Sequence, residues 1–183
     1  MQELIIPIII ATVILFAVLF WAIGTSNKFK VLLVKIKEAD SGIDVALTKR
    51  YDTLTKMVDV VKAYAKHESD IFEKVIKLRS GMSLDEKNEA NHLMDDAAKR
   101  ISVIAENYPE LRSSENYKQL QSAILDAEDH LQAARRVYNM NVSVFNQSIA
   151  VFPASIIANS AHYKPQGFFE TDEIKRTDVK MAL

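Results

Sequence analysis

The chain has no cysteine, and its 183 residues include only four glycines, four prolines and one tryptophan. The absence of cysteine excludes disulfides, a thiolate nucleophile and cysteine-based zinc sites, and it is compatible with a reducing compartment. Because Gly and Pro are scarce while Ala, Leu, Lys and the acidic residues are abundant, the composition favours helices over sheets.

The chain also lacks an excess of charge of either sign. All 23 Lys and Arg residues follow residue 23, as do 23 of the 24 acidic residues, since only Glu3 precedes it. The polar part is therefore formally neutral, 23 minus 23. A neutral body argues against nucleic-acid binding, which needs a basic stripe, and against a polybasic lipid-binding surface.

What the sequence does have is one long apolar run. Residues 4–23 read LIIPIIIATVILFAVLFWAI and carry no charge. About 20 such residues in a helix cross a hydrocarbon core of about 30 Å. Pro7 is expected in the first turn, where it is tolerated, and Trp21 at the far end, where its ring suits a headgroup layer. We predict a transmembrane helix over residues 4–24, with the lipid bilayer as the partner of residues 4–23.

A retained anchor fits this run better than a cleaved signal peptide does. The three residues before it contain no Lys or Arg, no A-x-A cleavage triplet follows, and the run exceeds the usual about 7–15 apolar residues. Basic residues follow the run closely, namely Lys28, Lys30, Lys35 and Lys37. By the positive-inside rule we expect a single-pass protein of the inner (cytoplasmic) membrane, with its N-terminus outside and its body in the cytoplasm.

The polar part shows helical periodicity. Apolar residues recur at steps of three and four, with a skip near Arg50, along a first helix that we expect to reach about Leu78 and to stop at Gly81. Ser83 and Glu86 form the capping box S-x-x-E of a second helix. That helix ends before Pro109, because a residue preceding proline avoids the α region.

A third helix and a short fourth complete the pattern. Either Ser113 or Ser114 caps the third helix, which ends at Phe152-Pro153, and a brief helix follows over residues 154–161. Short links make neighbouring helices antiparallel. We therefore predict an all-α fold in which an N-terminal transmembrane helix precedes an antiparallel bundle of three long helices plus a short fourth helix. Its parts are a short tail over residues 1–3, the transmembrane helix over 4–24, the bundle over 28–161 and a C-terminal tail over 162–183.

Short motifs follow one another in order through nearly the whole polar part. They are Ile43-Asp44-Val45, Lys49-Arg50, Asp52 with Leu54, Val61 to Ala65, His67-Glu68, Glu106 to Leu111, Tyr117 with Leu120-Gln121, Ala134-Arg135-Arg136 with Tyr138-Asn139, Val142 with Phe145-Asn146, Phe152-Pro153 and Phe168-Phe169-Glu170. In this order they resemble the LemA family, whose members also carry an N-terminal anchor. The chain departs from the family pattern at Ser41-Gly42, at Thr53 to Met57 and at Lys28-Phe29. The resemblance implies a membrane-anchored antiparallel helical bundle and no established catalytic activity.

Motifs for chemistry are weak in this sequence. His67-Glu68 begins the zinc motif H-E-x-x-H, but the position of the second histidine is Ile71. His92 and His130 each have an acidic residue one helical turn away, a spacing that is more often an exposed pair than a metal site. Neither a Gly-rich phosphate loop nor a G-x-S-x-G elbow occurs. We therefore predict no catalytic, cofactor-binding or metal-binding residues and no enzymatic activity.

Two aromatic–Asn pairs, Tyr138-Asn139 and Phe145-Asn146, recur seven residues apart and so share a helix face. We favour aromatic core positions with each Asn bonding across to another helix. The functional alternative is contact with a partner helix, where a buried Asn would set the register. The stretch from Phe152 to Phe169 is also apolar, and Phe168 and Phe169 are expected to hold the tail locally. Packing on the bundle end, contact with another subunit and contact with the bilayer all remain open for this stretch.

We therefore expect a membrane-anchored scaffold or adaptor of the LemA type without catalytic activity. It would self-associate as a homo-oligomer or dock other membrane proteins, and it would not bind nucleic acid. An alternative is a membrane-shaping oligomer, which a resemblance to magnetosome-associated members of the family keeps open. A metal-dependent enzyme is a weaker alternative.

Overall fold

A computed structural model of the chain describes residues 2–65 and 82–169, and every regular element within these ranges is an α-helix. The helices are α1 (Gln2–Tyr64), α2 (Leu84–Asn107), α3 (Pro109–Ser113), α4 (Glu115–Ala150) and α5 (Ala154–Ser160). The all-α class, with a long apolar N-terminal helix followed by further helices, is therefore confirmed.

Helix α1 begins two residues before the predicted membrane segment. The helix begins at Gln2, so Pro7 lies inside it rather than in its first turn. A proline at this position removes one backbone hydrogen bond, and the loss affects only the N-terminal end of α1. At the other end α1 stops at Tyr64, and Ala65 is no longer helical. The predicted continuation to Leu78 and the predicted stop at Gly81 lie outside the described residues.

The caps of α2 and α4 follow the sequence signals. Ser83 Oγ accepts a hydrogen bond from the Glu86 backbone N–H at 3.3 Å, and Glu86 Oε2 accepts one from the Ser83 backbone N–H at 2.7 Å. The predicted capping box is confirmed. Of the two candidate caps for α4, the structure selects Ser114, whose Oγ accepts from the Tyr117 backbone N–H at 3.3 Å. The link before it contains α3, which buries Leu111 completely.

The chain divides into two compact units. The first consists of Met1–Ala39 and Asn139–Gly167, and it contains the start of α1, the end of α4 and all of α5. Here α1 and α4 run antiparallel: Asn141 Nδ2 donates to the Lys35 carbonyl at 3.1 Å, and the rings of Phe29 and Phe145 both meet Tyr163 edge to face. The buried apolar residues of this unit are Phe29, Leu32, Ile36, Ala39, Val142, Phe145, Ile149 and Ala158.

The second unit consists of Asp40–Tyr138 and Phe168–Leu183. Its core takes apolar residues from α1, α2 and α4, among them Ile43, Leu47, Leu54, Val61, Ile101 and Leu131, each at most 1 % exposed. Side-chain contacts pair positions 40 and 44 of α1 with position 87 of α2, and position 50 with positions 91 and 95. These two helices therefore run in the same direction. Antiparallel neighbours were predicted from the sequence, on the basis of short links between helices. Contacts of positions 49 and 50 with 126 and 128 set α4 beside them.

Candidate functional site

Among the residues that the structure describes, the longest exposed apolar surface lies along the first part of α1. Every large apolar side chain from Ile5 to Ile23 is exposed, Phe20 by 70 %. The segment is long and apolar enough to cross a membrane, and none of it is buried against the rest of the chain. Among the described residues, α1 is the one helix that is long and apolar enough by itself. Helices α4 and α5 reach that length and hydrophobicity only when counted together, across a bend of 96°. Such a surface suits a hydrocarbon environment rather than water.

A buried arginine joins three helices in the second unit. Arg50 on α1 is 4 % exposed, and its Nη1 donates to Asn91 Oδ1 on α2 at 2.5 Å. Its Nη2 forms an ion pair and hydrogen bond with Asp95 Oδ1, also on α2. Glu128 Oε2 on α4 lies 3.1 Å from the same Nη2 as an ion pair without hydrogen-bonding geometry. The planar guanidinium thus fixes the register of α1 against both neighbours.

A buried lysine forms a second cross-link between α1 and α2. Lys87 is 2 % exposed, and its Nζ lies 2.6 Å from Asp40 Oδ1 and 2.8 Å from Asp44 Oδ1. Burial alone lowers the pKa of Lys87, but the hydrogen bonds and charges of the two aspartates outweigh it and raise this pKa above its ordinary value. The acidic side chains around both cations each face a positive charge on another helix. The two clusters therefore hold helices in register.

An exposed ion pair lies one residue away from Arg50. Lys49 Nζ is 2.5 Å from Asp126 Oδ2, and the two side chains are 43 % and 59 % exposed. The hydrogen bond and charge of Lys49 lower the pKa of Asp126 below its ordinary value. His130, one turn further along α4, has its Nε2 3.6 Å from Asp126 Oδ1. These polar groups lie at the edge of a groove on α1 and α4.

That groove, which we call the small-residue groove, encloses about 390 Å³. It is lined by Gly42, Val45, Ala46, Lys49, His130, Ala133, Ala134 and Val137. Glycine and three alanines are among its lining residues, and Val45 and Val137 beside them have 71 % and 48 % of their surface exposed. A Cβ atom added at Gly42 would meet nothing within 4 Å. The patch thus combines an apolar depression, two apolar ridges and a polar edge.

A smaller cavity of about 150 Å³ lies on α2, α3 and α4 and is lined by Ser102, Ala105, Glu106, Arg112, Tyr117 and Gln121. Burial raises the pKa of the Tyr117 phenol. Within residues 2–65 and 82–169, no three His, Asp or Glu side chains are grouped closely enough to hold a metal ion. His67 and Glu68 lie outside those ranges.

The structure places the predicted contact residues in different surroundings. Phe145 is fully buried in the first unit and meets Tyr163 with ring centroids 6.2 Å apart. Asn146 next to it binds the backbone of Gln166 in both directions, donating to its carbonyl at 3.0 Å and accepting from its N–H at 2.8 Å. Asn139 is half-buried. Asn141, which the sequence pattern did not single out, donates from α4 to the Lys35 carbonyl on α1.

The remaining predicted contact residues belong to the second unit. Tyr138 is 6 % exposed, and burial together with the charge of Asp40 raises its pKa. Phe169 is 1 % exposed and lies under the guanidinium of the buried Arg135, with 4.8 Å from Cζ to the ring centroid. Phe168 is 49 % exposed. The paired phenylalanines therefore differ, since one is a core residue and the other faces outward.

Sequence reasoning did not identify Arg50 and Lys87 as buried cations that join helices. Arg50 lies where the apolar stripe of α1 skips, between Leu47 and Leu54, and Lys87 precedes Ala90 and Met94 at steps of three and four. A cation in line with an apolar stripe is the available signal, because such a position faces the core. The partners of the two cations could not be identified in this way, since they depend on the direction of α2.

The sequence of this chain is similar to those of several known proteins. The model of the LemA family matches residues 39–182. Protein LemA of Metamycoplasma hominis is 29 % identical over 165 residues, which are 87 % of this chain and 75 % of that protein. Magnetosome protein MamQ of Magnetospirillum gryphiswaldense is 27 % identical over 70 residues, 38 % of this chain and 26 % of that protein. Magnetosome protein MamQ 2 of Paramagnetospirillum magneticum is 27 % identical over 71 residues, again 26 % of its length.

Proposed function

The chain belongs to the LemA family, and we propose that it acts as a membrane-anchored helical scaffold that self-associates and has no catalytic activity. The observation that carries the proposal is α1 itself. One helix from Gln2 to Tyr64 begins with an exposed apolar segment and continues with residues that pack into the helical body. Because the apolar segment and the packed residues belong to one continuous helix, the anchor holds the helical body at the bilayer, as a scaffold requires.

The anchor is proposed to cross the inner membrane once, with the N-terminus outside and the body in the cytoplasm. The support is the exposed apolar segment followed by Lys28 and Lys30, both of them exposed. Full-length protein is expected to remain with membranes after alkaline carbonate extraction, and the body to be digested only by protease added from the cytoplasmic side. Release by carbonate would overturn the anchor, and digestion from the outer side would overturn the orientation.

Self-association is proposed to use the small-residue groove. Small side chains let another helix approach closely, and Val45 and Val137 supply ridges beside the depression. A patch that holds both a depression and ridges suits a two-fold interface, in which the same surface of both copies must fit itself. The exposed pair of Lys49 and Asp126 gives this patch the polar rim that interfaces commonly have.

Two substitutions at one position test this interface. Gly42→Leu fills the groove, whereas Gly42→Ala leaves it open, and both remove a helical glycine whose added Cβ meets no neighbour. In size measurements by multi-angle light scattering in mild detergent, we expect the chain and Gly42→Ala to be oligomers of one size and Gly42→Leu to be smaller. Oligomers of equal size for both variants would contradict this interface, and a monomeric parent chain would contradict self-association altogether.

The absence of catalysis is proposed because Arg50 and Lys87, two of the buried ionisable groups, are engaged in cross-linking helices. Arg50 and Lys87 are each bound by acidic side chains of another helix. Purified protein is expected to contain no stoichiometric metal by elemental analysis. A metal retained at one ion per chain would revive the metal-dependent enzyme that the sequence left as a weaker alternative.

The matches to magnetosome proteins favour a second candidate function, a membrane-shaping oligomer. In this case many copies would organise the bilayer directly instead of holding other proteins. Electron microscopy of vesicles that carry the purified protein at high density separates the two. Regular arrays or tubules would favour membrane shaping, and smooth vesicles with discrete particles would favour the scaffold.

A further inference from the structure

We propose that the corner between α4 and α5 is a second membrane contact, through which Val151, Phe152 and Ile156 enter the bilayer beside the anchor. This inference rests on the anchor in the proposed function. All residues that carry it belong to the first unit. The bilayer was one of three occupants that the sequence left open for this stretch, and the register of α4 on α1 selects it.

Two independent contacts set that register. Asn141 on α4 binds the carbonyl of Lys35 on α1. Six residues earlier on α1 and four later on α4, Phe29 and Phe145 contact the same Tyr163 ring, with centroids 5.3 and 6.2 Å away. As α4 advances, its partners on α1 therefore come closer to the apolar run. The end of α4 points towards the membrane.

The helical rise converts this register into a depth. Lys35 lies about 18 Å along α1 from Ile23, the end of the apolar run, at 1.5 Å per residue. From Asn141, the last residue of α4, Ala150, lies about 14 Å further along the direction of α4. From Phe29 to Ile23 the distance along α1 is about 9 Å, and from Phe145 to Ala150 along α4 it is about 8 Å. Both estimates bring the end of α4, and with it the corner that holds Phe152, to within about 5 Å of the level where the apolar run ends.

The surface at that level is apolar and faces outward. Phe152 is 80 % exposed, Ile156 60 % and Val151 57 %. Residues 137–161 contain no Asp, Glu, Lys, Arg or His. Because this stretch carries no charge, its entry into the interface requires no charged group to lose its hydration. Exposed large apolar groups clustered at one corner are characteristic of an interaction surface.

The geometry of α5 fits an interfacial helix. Its axis makes an angle of 96° with α4, so when α4 points at the membrane α5 lies close to the membrane plane. Ala158 is 1 % exposed and faces the protein, whereas Ile156 faces away from it. Exposed Lys28 and Lys164 of the same unit supply charges suited to phosphate headgroups. A short uncharged helix that turns Ala158 to the protein and Ile156 outward, at this depth, fits lipid better than a second copy.

Site-specific depth measurements test the contact. Because the chain has no cysteine, single cysteines can be introduced without a background. Phe152→Cys, Met140→Cys and Phe16→Cys are each labelled with an environment-sensitive fluorophore in full-length protein, in vesicles of phosphatidylcholine and phosphatidylglycerol. Met140 is the matched control, since it is 59 % exposed in the same unit and precedes Asn141, which binds Lys35 well away from the apolar run. Phe16 reports the anchor itself.

We expect spin-labelled lipids to quench the probe at 152 at least about threefold more than the probe at 140, with the probe at 16 also quenched. Equal quenching at 152 and 140, with iodide reaching both, would overturn the contact while the signal at 16 left the anchor intact. A probe at 152 shielded from both lipid and iodide would mean that a second copy covers the corner, which also overturns the proposal. Failure of quenching at 16 would overturn the anchor and this inference with it.

A charge substitution provides an independent measurement. Phe152→Asp places a carboxylate at a side chain that packs little against the protein, so the fold is expected to be retained. With the probe at Ile156→Cys, Phe152→Asp should reduce lipid quenching to the level seen at 140, whereas Met140→Asp should leave it unchanged. Full quenching at 156 in the presence of Phe152→Asp would contradict insertion of the corner.

Discussion

At the scale of single residues, the second unit depends on cations placed among apolar side chains. Arg50 lies in line with the apolar stripe of α1 and is nearly as buried as its neighbours Leu47 and Leu54. Its guanidinium reaches Asn91 and Asp95 on α2 and Glu128 on α4. A charge taken out of water in this way is tolerated only with its partners in place, so the cluster specifies one arrangement of helices.

Arg50→Met is therefore expected to destabilise the protein strongly. The methionine fills much of the same space, but it leaves Asp95 and Glu128 without the charge that they face in a largely buried place. Breaking a buried pair on one side lowers the free energy of unfolding by about 3–5 kcal/mol. Urea unfolding in detergent, followed by circular dichroism at the helical band, measures the loss.

Lys49→Met is the matched control, because it removes a neighbouring cation whose pair with Asp126 is exposed. Exposed pairs contribute little since water screens them, so this variant should unfold close to the parent chain. Comparable losses for Arg50→Met and Lys49→Met would show that burial does not distinguish the two cations.

At the scale of elements, helix boundaries follow local signals, whereas helix directions do not. The capping box at Ser83 and Glu86 was visible as S-x-x-E and is present in the structure. Of the two serines before α4 the sequence could not choose, because both precede a helical pattern at suitable spacing. The structure chooses Ser114, since α3 takes up Ser113 as its last residue.

Ser114→Ala is expected to lower the free energy of unfolding by about 1 kcal/mol, because the backbone N–H of Tyr117 loses its acceptor. Ser113→Ala should have a smaller effect, since the Ser113 hydroxyl donates only to the Glu110 carbonyl within the same short helix. Chemical denaturation of both variants under identical conditions compares them. A larger loss of stability for Ser113→Ala than for Ser114→Ala would contradict Ser114 as the cap of α4.

The direction of α2 also belongs to this scale. Lys87 near its start meets Asp40 and Asp44, and Asp95 further along meets Arg50, so α2 follows α1 in the same direction. No periodicity within either helix carries that information. It depends on which end of α1 the start of α2 approaches, and tertiary contacts alone decide this.

At the scale of the whole molecule, the pKa shifts predict how stability responds to alkaline pH. The pKa of Lys87 is raised above 10.5, and those of Tyr117 and Tyr138 above 10.0. For each group the unfolded chain loses its proton first as the pH rises, so the unfolded state binds fewer protons than the folded state. The stabilisation that these three groups contribute is therefore fully present below their ordinary pKa values, and it is lost as the pH rises through their pKa values in the folded state.

The thermal midpoint of the full-length protein is accordingly expected to change little up to about pH 9 and to fall above about pH 10. Tyr117→Phe should make the alkaline fall shallower, because one of the three groups is removed. Tyr64→Phe is the matched control, since Tyr64 is 42 % exposed at the end of α1, and it should leave the slope unchanged. The slopes of midpoint against pH are compared rather than the midpoints, and equal slopes for the parent and Tyr117→Phe would contradict the assignment.

The sequence by itself determined the helical class, the apolar segment of α1, the capping box and the family. Each of these depends on neighbours along the chain, such as an unbroken apolar run, steps of three and four, or short motifs in order. These local patterns can be interpreted without knowledge of the fold, because helices form from contacts within four residues.

Tertiary structure alone decided which helices are neighbours, and with them the surfaces on which the proposed function depends. Arg50 and Lys87 became cross-links only when α2 lay beside α1, and the small-residue groove exists only because α4 brings Ala133 and Ala134 beside Gly42 and Ala46. Phe152 became a candidate lipid contact only when Asn141 and Tyr163 set the register of α4 on α1. These pairings join residues far apart in the chain, and their energies arise from burial and charge between helices, which no pattern within one helix encodes.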